Sequence, residues 1–335
     1  MYEKFYNLSG KPFQLNPDPA FFYGSRGHKR AMAYLEYGVE QGEGFIVITG
    51  EVGAGKTTLV RNLFEHLNSD ELVAVQLVST QLNANDMLRA VCSAFGVPDE
   101  GSKATLLRDL EAHLMDCQRA GKRALLVVDE AQNLEPSAVE ELRMLSNFQT
   151  RWGSLLQSFL LGQPEFRATL QSPSMRQLRQ RVIATYHLGP IGVDETREYI
   201  EHRLRHVNWN GDPAFTDGVF QKLHEASEGV PRRINTLCDR LLLMGYLEEL
   251  HTIDESAVDE VVQEMEQDFN APRQPMRDDV ETDEFGETGR DSPDLALSAR
   301  LERLDSRVSR LERYVIYTSK LSRQILTMVN RRKPA

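Results

Sequence analysis

Along the first 190 residues, short apolar runs alternate with stretches in which apolar residues recur every three to four positions. The runs at 45–49, 72–78 (LVAVQLV), 124–128 (ALLVV), 155–162 (LLQSFLLG) and 184–188 (ATYHL) read as strands. ALLVV shows no polar alternation, which suits a central strand buried on both faces. Helical spacing covers 26–41, 57–67, 85–95 and 103–119, and a further helix is expected to open at Pro136. Strands that alternate with helices predict a parallel sheet, so the class expected is α/β. Beyond Pro190 the β signal stops, and helices are predicted at 195–207, capped by Asp194, and at 217–228, 232–249 and 255–267.

This pattern divides the chain into an α/β part over 1–190, a small all-helical part over 191–268, an acidic linker over 269–296 and a helical tail over 297–335. At 335 residues and 41% hydrophobic content, two globular units and a tail fit. The linker, containing NAPRQPMRDDVETDEFGETGRDSPD, has few large apolar residues and reads as disordered. In the tail, Leu297, Leu301, Leu304, Val308, Leu311 and Val315 step by four and three, as the a and d positions of a coiled coil do. A single helix docked on the core, or a basic helix resting on an anionic membrane, are the other readings of that stretch.

Charge separates the segments further. The net charge of −11 is made of −13 over 1–270, −5 over 271–297 and +7 over 298–335. An acidic globular part argues against a broad nucleic-acid footprint, because neutralising phosphates with Lys and Arg is what drives such binding. No stretch reaches the 18 or so apolar residues of a membrane span. Cys92, Cys117 and Cys238 lie far apart without metal-ligand spacing, as reduced thiols of a cytoplasmic protein do. A cytoplasmic location is therefore expected, with peripheral attachment at an inner membrane as its variant.

The most informative stretch is GFIVITGEVGAGKTTL, residues 44–59. An apolar run, a glycine-rich turn and Lys-Thr-Thr opening a helix make a phosphate cradle, in which backbone N–H groups and the positive helix end face anionic oxygens. Gly50, Glu51, Val52, Gly53, Ala54, Gly55, Lys56, Thr57 and Thr58 are the residues expected around ATP. Lys56 would reach the β- and γ-phosphates, and the Thr57 hydroxyl is placed for Mg²⁺. Asp129 and Glu130 end the strand ALLVVDE, where ligands of open parallel sheets bind. Asp129 would hold the Mg²⁺ and Glu130 would activate a water for attack on the γ-phosphate, so hydrolysis is expected as well as binding. The fold expectation thereby narrows to a P-loop NTPase core.

Other candidates carry two readings each. Gln163, after the fourth strand, either touches the γ-phosphate or the attacking water, or is a turn residue. The aromatics of FQLNPDPAFFYGS (Phe13, Phe21, Phe22 and Tyr23) either pack against the domain or line an adenine pocket, and His28 behind them reads as structural. Arg176, Arg179 and Arg181 on one short helical segment are either solvated surface or the source of an arginine finger given in trans, which requires a homo-oligomer. Arg232, in the first turn of the helix opened by Pro231, sits where a cation is electrostatically disfavoured, and a phosphate would give it a stabilising partner.

The opening 59 residues, LLVVDEAQNL, LLGQPEF, LRQRV and GVPRRIN together resemble the AAA+ ATPases of the general secretion pathway protein A (ExeA-like) family. Within it the likeness is greatest to secretion ATPases of exosortase and PEP-CTERM exopolysaccharide loci. The match covers about residues 1–268. It implies an ATPase core with a helical lid, Arg232 as second sensor, Gln163 at the first-sensor position, and Arg179 or Arg181 as the finger. It also implies an envelope-associated protein assembly as partner. ExeA-like proteins commonly continue into a membrane span and a peptidoglycan-binding part that this sequence lacks, so a direct cell-wall role is not expected. The expected function is ATP hydrolysis that drives conformational change in an envelope secretion or exopolysaccharide assembly. A DNA-binding ATPase switch of the transposition-accessory type and a nucleotide-gated scaffold with negligible turnover are the alternatives.

Overall fold

The strand 45–50 is apolar at every position up to its last two residues, and alternate side chains leave it on opposite sides, so it needs cover on both faces. In the computed structural model, described here for residues 1–67, 70–78 and 82–270, it receives that cover. The elements in chain order are α1 (Tyr2–Phe5), α2 (Arg26–Gln41), β1 (Phe45–Gly50), α3 (Lys56–His66), β2 (Leu72–Val78), α4 (Ala84–Ala94), α5 (Lys103–Arg119), β3 (Arg123–Asp129) and α6 (Pro136–Leu145). A hairpin of β4 (Gln149–Thr150) and β5 (Gly153–Ser154) leads into β6 (Leu156–Gly162), α7 (Pro164–Gln171), α8 (Arg176–Arg179) and β7 (Val182–Leu188). The helical part follows: α9 (Val193–Arg205), β8 (Ala214–Phe215), α10 (Asp217–Ser227), α11 (Pro231–Leu247), β9 (Thr252–Ile253) and α12 (Glu255–Asn270).

Five strands form one sheet in the order β2-β3-β6-β1-β7, with every pairing parallel. Its two faces fill two separate cores. Ile46, Ile48, Leu125, Val127, Phe159 and Leu161 face α2 and α3, while Phe45, Val47, Leu126, Val128 and Leu160 face α4 to α7. Side-chain caps start the helices where the pattern asks for them: Ser25 accepts from His28 N, Asn83 from Asn85 N and Asp86 N, and Ser102 from Thr105 N. Phe159 is wholly buried, and truncating it to Ala would cost about 3–5 kcal/mol.

The helical part buries Ile200, Leu204, Leu223, Ile234, Leu241 and Val258 in a third core. Residues 1–13, expected with the sheet, pack here instead: Tyr2, Tyr6, Leu8 and Phe13 belong to this cluster. The Tyr2 hydroxyl donates to Asp239 Oδ1 at 2.5 Å and that of Tyr6 to Leu250 O at 2.9 Å, which satisfies two phenols that burial would otherwise penalise. Three local expectations are also corrected. Gly192, in place of Asp194, is the N-cap of α9, and the Glu195 carboxylate accepts its N–H at 3.3 Å. The β signal resumes past Pro190 as the two-residue parallel pair β8–β9. Arg181 lies beyond the end of α8, on which only Arg176 and Arg179 sit. The tail at 297–335 and all but the first two positions of the linker fall outside the described residues. Among the described residues no helix is long and apolar enough to cross a membrane.

Candidate functional site

The carboxyl ends of β1 and β3 open on one crevice, on either side of β6. After β1 the chain turns through Gly53 at φ 85° and Gly55 at φ 96°, both in the left-handed region that glycine adopts freely, and enters α3 at Lys56. Gly53 has a second reason to lack a side chain: a Cβ there would lie 2.3 Å from Arg232 Cβ. The same contact carries a hydrogen bond, Arg232 N to Gly53 O at 3.2 Å, so the first turn of α11 rests directly on the loop. Lys56 is buried, and its Nζ donates to Gly50 O at 2.7 Å and Glu51 O at 3.0 Å. Burial pulls its ammonium below the usual lysine range, with Glu130, Asp129 and Glu51 partly offsetting that pull.

Asp129 is buried at the end of β3 and gathers three donors. Thr57 Oγ1 reaches Oδ2 at 2.8 Å, Gln76 Nε2 reaches the same oxygen at 3.4 Å, and Glu130 N reaches Oδ1 at 2.9 Å. The Thr57 hydroxyl and the Asp129 carboxylate, hard oxygen donors side by side at the foot of the phosphate loop, form a set that suits Mg²⁺.

Glu130 has left-handed backbone, φ 55° and ψ 41°, a conformation that costs a non-glycine residue on the order of 1 kcal/mol or more. Its carboxylate Oε2 accepts from Gln132 Nε2 and from Gln163 Nε2 at 3.1 Å, and Gln132 Oε1 in turn accepts from Gln163 N at 3.0 Å. Burial pushes the Glu130 carboxyl up, but the two amides and the Lys56 charge outweigh it and hold it below the usual range.

One pocket is lined by Val52, Gly53, Gly55, Lys56, Thr57, Thr58, Glu130 and Arg232. Its wall also includes Phe21, Phe22, Tyr23 and His28 from the N-terminal part and Tyr199, Arg203 and Asn235 from α9 and α11. Of the aromatics, Phe13 is buried in the helical core, while Phe21, Phe22 and Tyr23 both pack against the cores and line this pocket. Gln163 stands one residue behind the pocket, on Glu130.

Arg179 and Arg181 are not brought to this crevice. Arg181 precedes β7 at the opposite end of the sheet, where Phe45 N bonds to its carbonyl, and its guanidinium holds Ser146 O at 2.9 Å, Ser146 Oγ at 2.8 Å and Asn147 Oδ1. Arg179 is exposed and donates to Leu170 O at 2.7 Å. Sequence reasoning passed over Gln76, Gln132, Tyr199, Arg203 and Asn235. Gln132, two residues after Glu130, and Asn235, at the end of GVPRRIN, had positional signals that could have found them.

Residues 39–170 match the model of the AAA domain family. General secretion pathway protein A of Aeromonas hydrophila is 42% identical over 255 residues, which is 76% of this chain and 46% of that protein. The chain thus spans less than half the length of this curated relative. The Aeropyrum pernix ORC2 protein superposes with a TM-score of 0.57 at 18% identity, covering 76% of this chain and 71% of that one. A Thermotoga maritima RuvB structure superposes with a TM-score of 0.51 at 20% identity, covering 75% of this chain and 72% of that one. These structural likenesses show a common fold, that of the AAA+ P-loop NTPases; residues 39–170 carry an AAA domain within it, and the chain is similar to general secretion pathway protein A.

Proposed function

We propose that the chain binds ATP with Mg²⁺ in the crevice at the ends of β1 and β3, hydrolyses it there, and uses the cycle to drive conformational change in an envelope secretion or exopolysaccharide assembly. The observation that carries this reading is Glu130, held by the Gln132 and Gln163 amides at the same pocket as Lys56 and Thr57. In it, the loop N–H groups and Lys56 bind the β- and γ-phosphates. Thr57 and Asp129 hold the Mg²⁺, which when bound neutralises charge on the phosphate oxygens. Glu130, ionised by its surroundings, takes the proton of the attacking water, while Gln163 orients the carboxylate.

The helical part acts as a lid whose state follows the nucleotide. Arg232 is its sensor, because α11 begins on the carbonyl of Gly53. Arg179, exposed and away from its own chain's crevice, is available to a neighbouring subunit, as a homo-oligomer with an arginine finger requires, whereas Arg181 would first have to release Ser146 and Asn147. The assembly served is inferred from the relative's name, general secretion pathway protein A. Affinity capture with Glu130→Gln, which should hold the ATP state, tests it: ATP-dependent recovery of envelope-assembly proteins is expected. Recovery that is the same without nucleotide, or salt-sensitive capture of duplex DNA in their place, would contradict it.

A further inference from the structure

His28 read as structural in the sequence, yet it joins two parts of the site. Ser25, which caps α2, pairs through Oγ with His28 Nδ1 at 2.7 Å and accepts from His28 N at 3.3 Å. On the other side of the ring, Nε2 lies 3.1 Å from the carbonyl oxygen of Ala54, inside the phosphate loop. A carbonyl oxygen only accepts, so Nε2 carries the proton, and Nδ1 accepts from the Ser25 hydroxyl. The ring is 5% exposed, and Phe22 packs edge-on against it with centroids 5.7 Å apart. Burial keeps it neutral by lowering its pKa, against the upward pull of the Ala54 carbonyl and of Glu195.

The geometry of the Ala54–Gly55 peptide gives this bond its consequence. In a planar trans peptide the C=O and the following N–H point in opposite directions. Drawing Ala54 O toward the imidazole therefore turns Gly55 N–H away from it. Gly55 is the N-cap of α3, where N–H groups face an anion, and a Cβ there would stand 2.7 Å from His28 Nε2. The ring leaves that close approach open to glycine alone.

The segment leading to Ser25 is itself anchored to the helical part. Buried Arg203 donates to Pro12 O at 2.6 Å and Gln14 O at 3.3 Å, and the Glu195 carboxylate accepts from Arg26 N at 2.7 Å. We propose that His28 is a positioning residue of the nucleotide site: its neutral imidazole fixes the Ala54–Gly55 peptide so that Gly55 N–H faces the phosphates, and so ties phosphate binding to the seating of residues 12–26 on the helical part. This rests on the nucleotide reading of the loop.

Two variants test it by titration with a fluorescent ATP analogue and by steady-state turnover. His28→Leu fills the space without a donor, and His28→Gln returns an N–H donor. The expected result is a loss of about tenfold in ATP affinity for His28→Leu, with KM rising in step while kcat stays within about threefold, and recovery of most of the affinity in His28→Gln. A filler role alone would make the two variants alike. Native affinity in His28→Leu, or no recovery in His28→Gln, overturns the proposal. Should His28→Leu fail to fold, Ser25→Ala keeps the ring and removes the hydroxyl that fixes its tautomer. About threefold weaker ATP binding in that variant supports the proposal and unchanged binding overturns it. The unaltered chain is the control: no ATP binding there removes the nucleotide reading itself, whereas normal binding with an indifferent His28→Leu removes this inference alone.

Discussion

Gly53→Ala places one methyl group where the phosphate loop meets α11. Two costs follow from the geometry. A residue with a Cβ at φ 85° is strained by about 1–2 kcal/mol. The new Cβ would also stand 2.3 Å from Arg232 Cβ, which is fixed to the α11 backbone and cannot rotate away as the end of a flexible side chain could. Overpacking of this kind costs about 1–3 kcal/mol more. Together these amount to roughly 2–5 kcal/mol, or on the order of 4–20 °C in the unfolding temperature of a domain this size. Gly121→Ala separates the two costs, because Gly121 has φ 75° but nothing within 4 Å of an added Cβ. That variant should lose only the strain, on the order of 2–8 °C. Thermal unfolding followed by circular dichroism, with and without ATP, reads both. Gly53→Ala should unfold earlier than Gly121→Ala and should lose most of the stabilisation that ATP gives. Equal unfolding temperatures in the two variants would refute the contact between loop and α11 as a source of stability.

Three further outcomes are expected. Lys56→Ala should abolish ATP binding in an equilibrium titration, since this lysine is the cation bonded to the loop carbonyls; binding within about threefold of the unaltered chain would sink the phosphate-cradle reading. Gln163→Ala removes a donor from Glu130, whose folded pKa lies below its usual value of 4.5. The stabilisation Glu130 draws from its partners is complete above pH 4.5 and is lost as pH falls through the folded value, so losing Gln163 should move the acid limb of the kcat profile to higher pH, and an unmoved limb would count against that role. Arg179→Ala should lower turnover without changing ATP affinity or thermal stability, whereas Arg181→Ala should also lower the unfolding temperature by a few degrees through its lost bonds to Ser146 and Asn147. Unaltered turnover in both would return the two arginines to the surface-charge reading.

The sheet was legible in the sequence because its central strands are apolar on both faces: β1 and β3 fall on unbroken apolar runs, and β2 on a run interrupted by Gln76. The span of helix α5, 103–119, was legible to the residue, and the structure adds Ser102 as its cap. The two-residue strands β4, β5, β8 and β9 are too short to show any period. The place of residues 1–13 was hidden for a different reason. Their aromatics need burial, but a linear pattern does not say which core provides it, and the hydroxyls of Tyr2 and Tyr6 find partners more than 200 residues away. The site divides in the same way. Lys56, Thr57, Asp129 and Glu130 follow from local motifs, since strand and turn place them together. The amides of Gln76 and Gln132 and the ring of His28 acquire partners only through strand register and helix packing. Arg181 looked equivalent to Arg179 on a helix, but α8 stops at Arg179, and the next turn aims Arg181 at Ser146.

Release of phosphate from Mg²⁺-ATP by the unaltered chain and by Glu130→Gln, with ATP binding measured on the same samples, bears most directly on the crevice between β1 and β3 as the place of hydrolysis. The unaltered chain should turn over steadily. Glu130→Gln should bind ATP within about threefold of it and lose at least about a hundredfold in turnover, because the carboxylate acts in the transition state and not in holding the ground state. Turnover that survives Glu130→Gln, or ATP binding that disappears with it, would contradict the assignment.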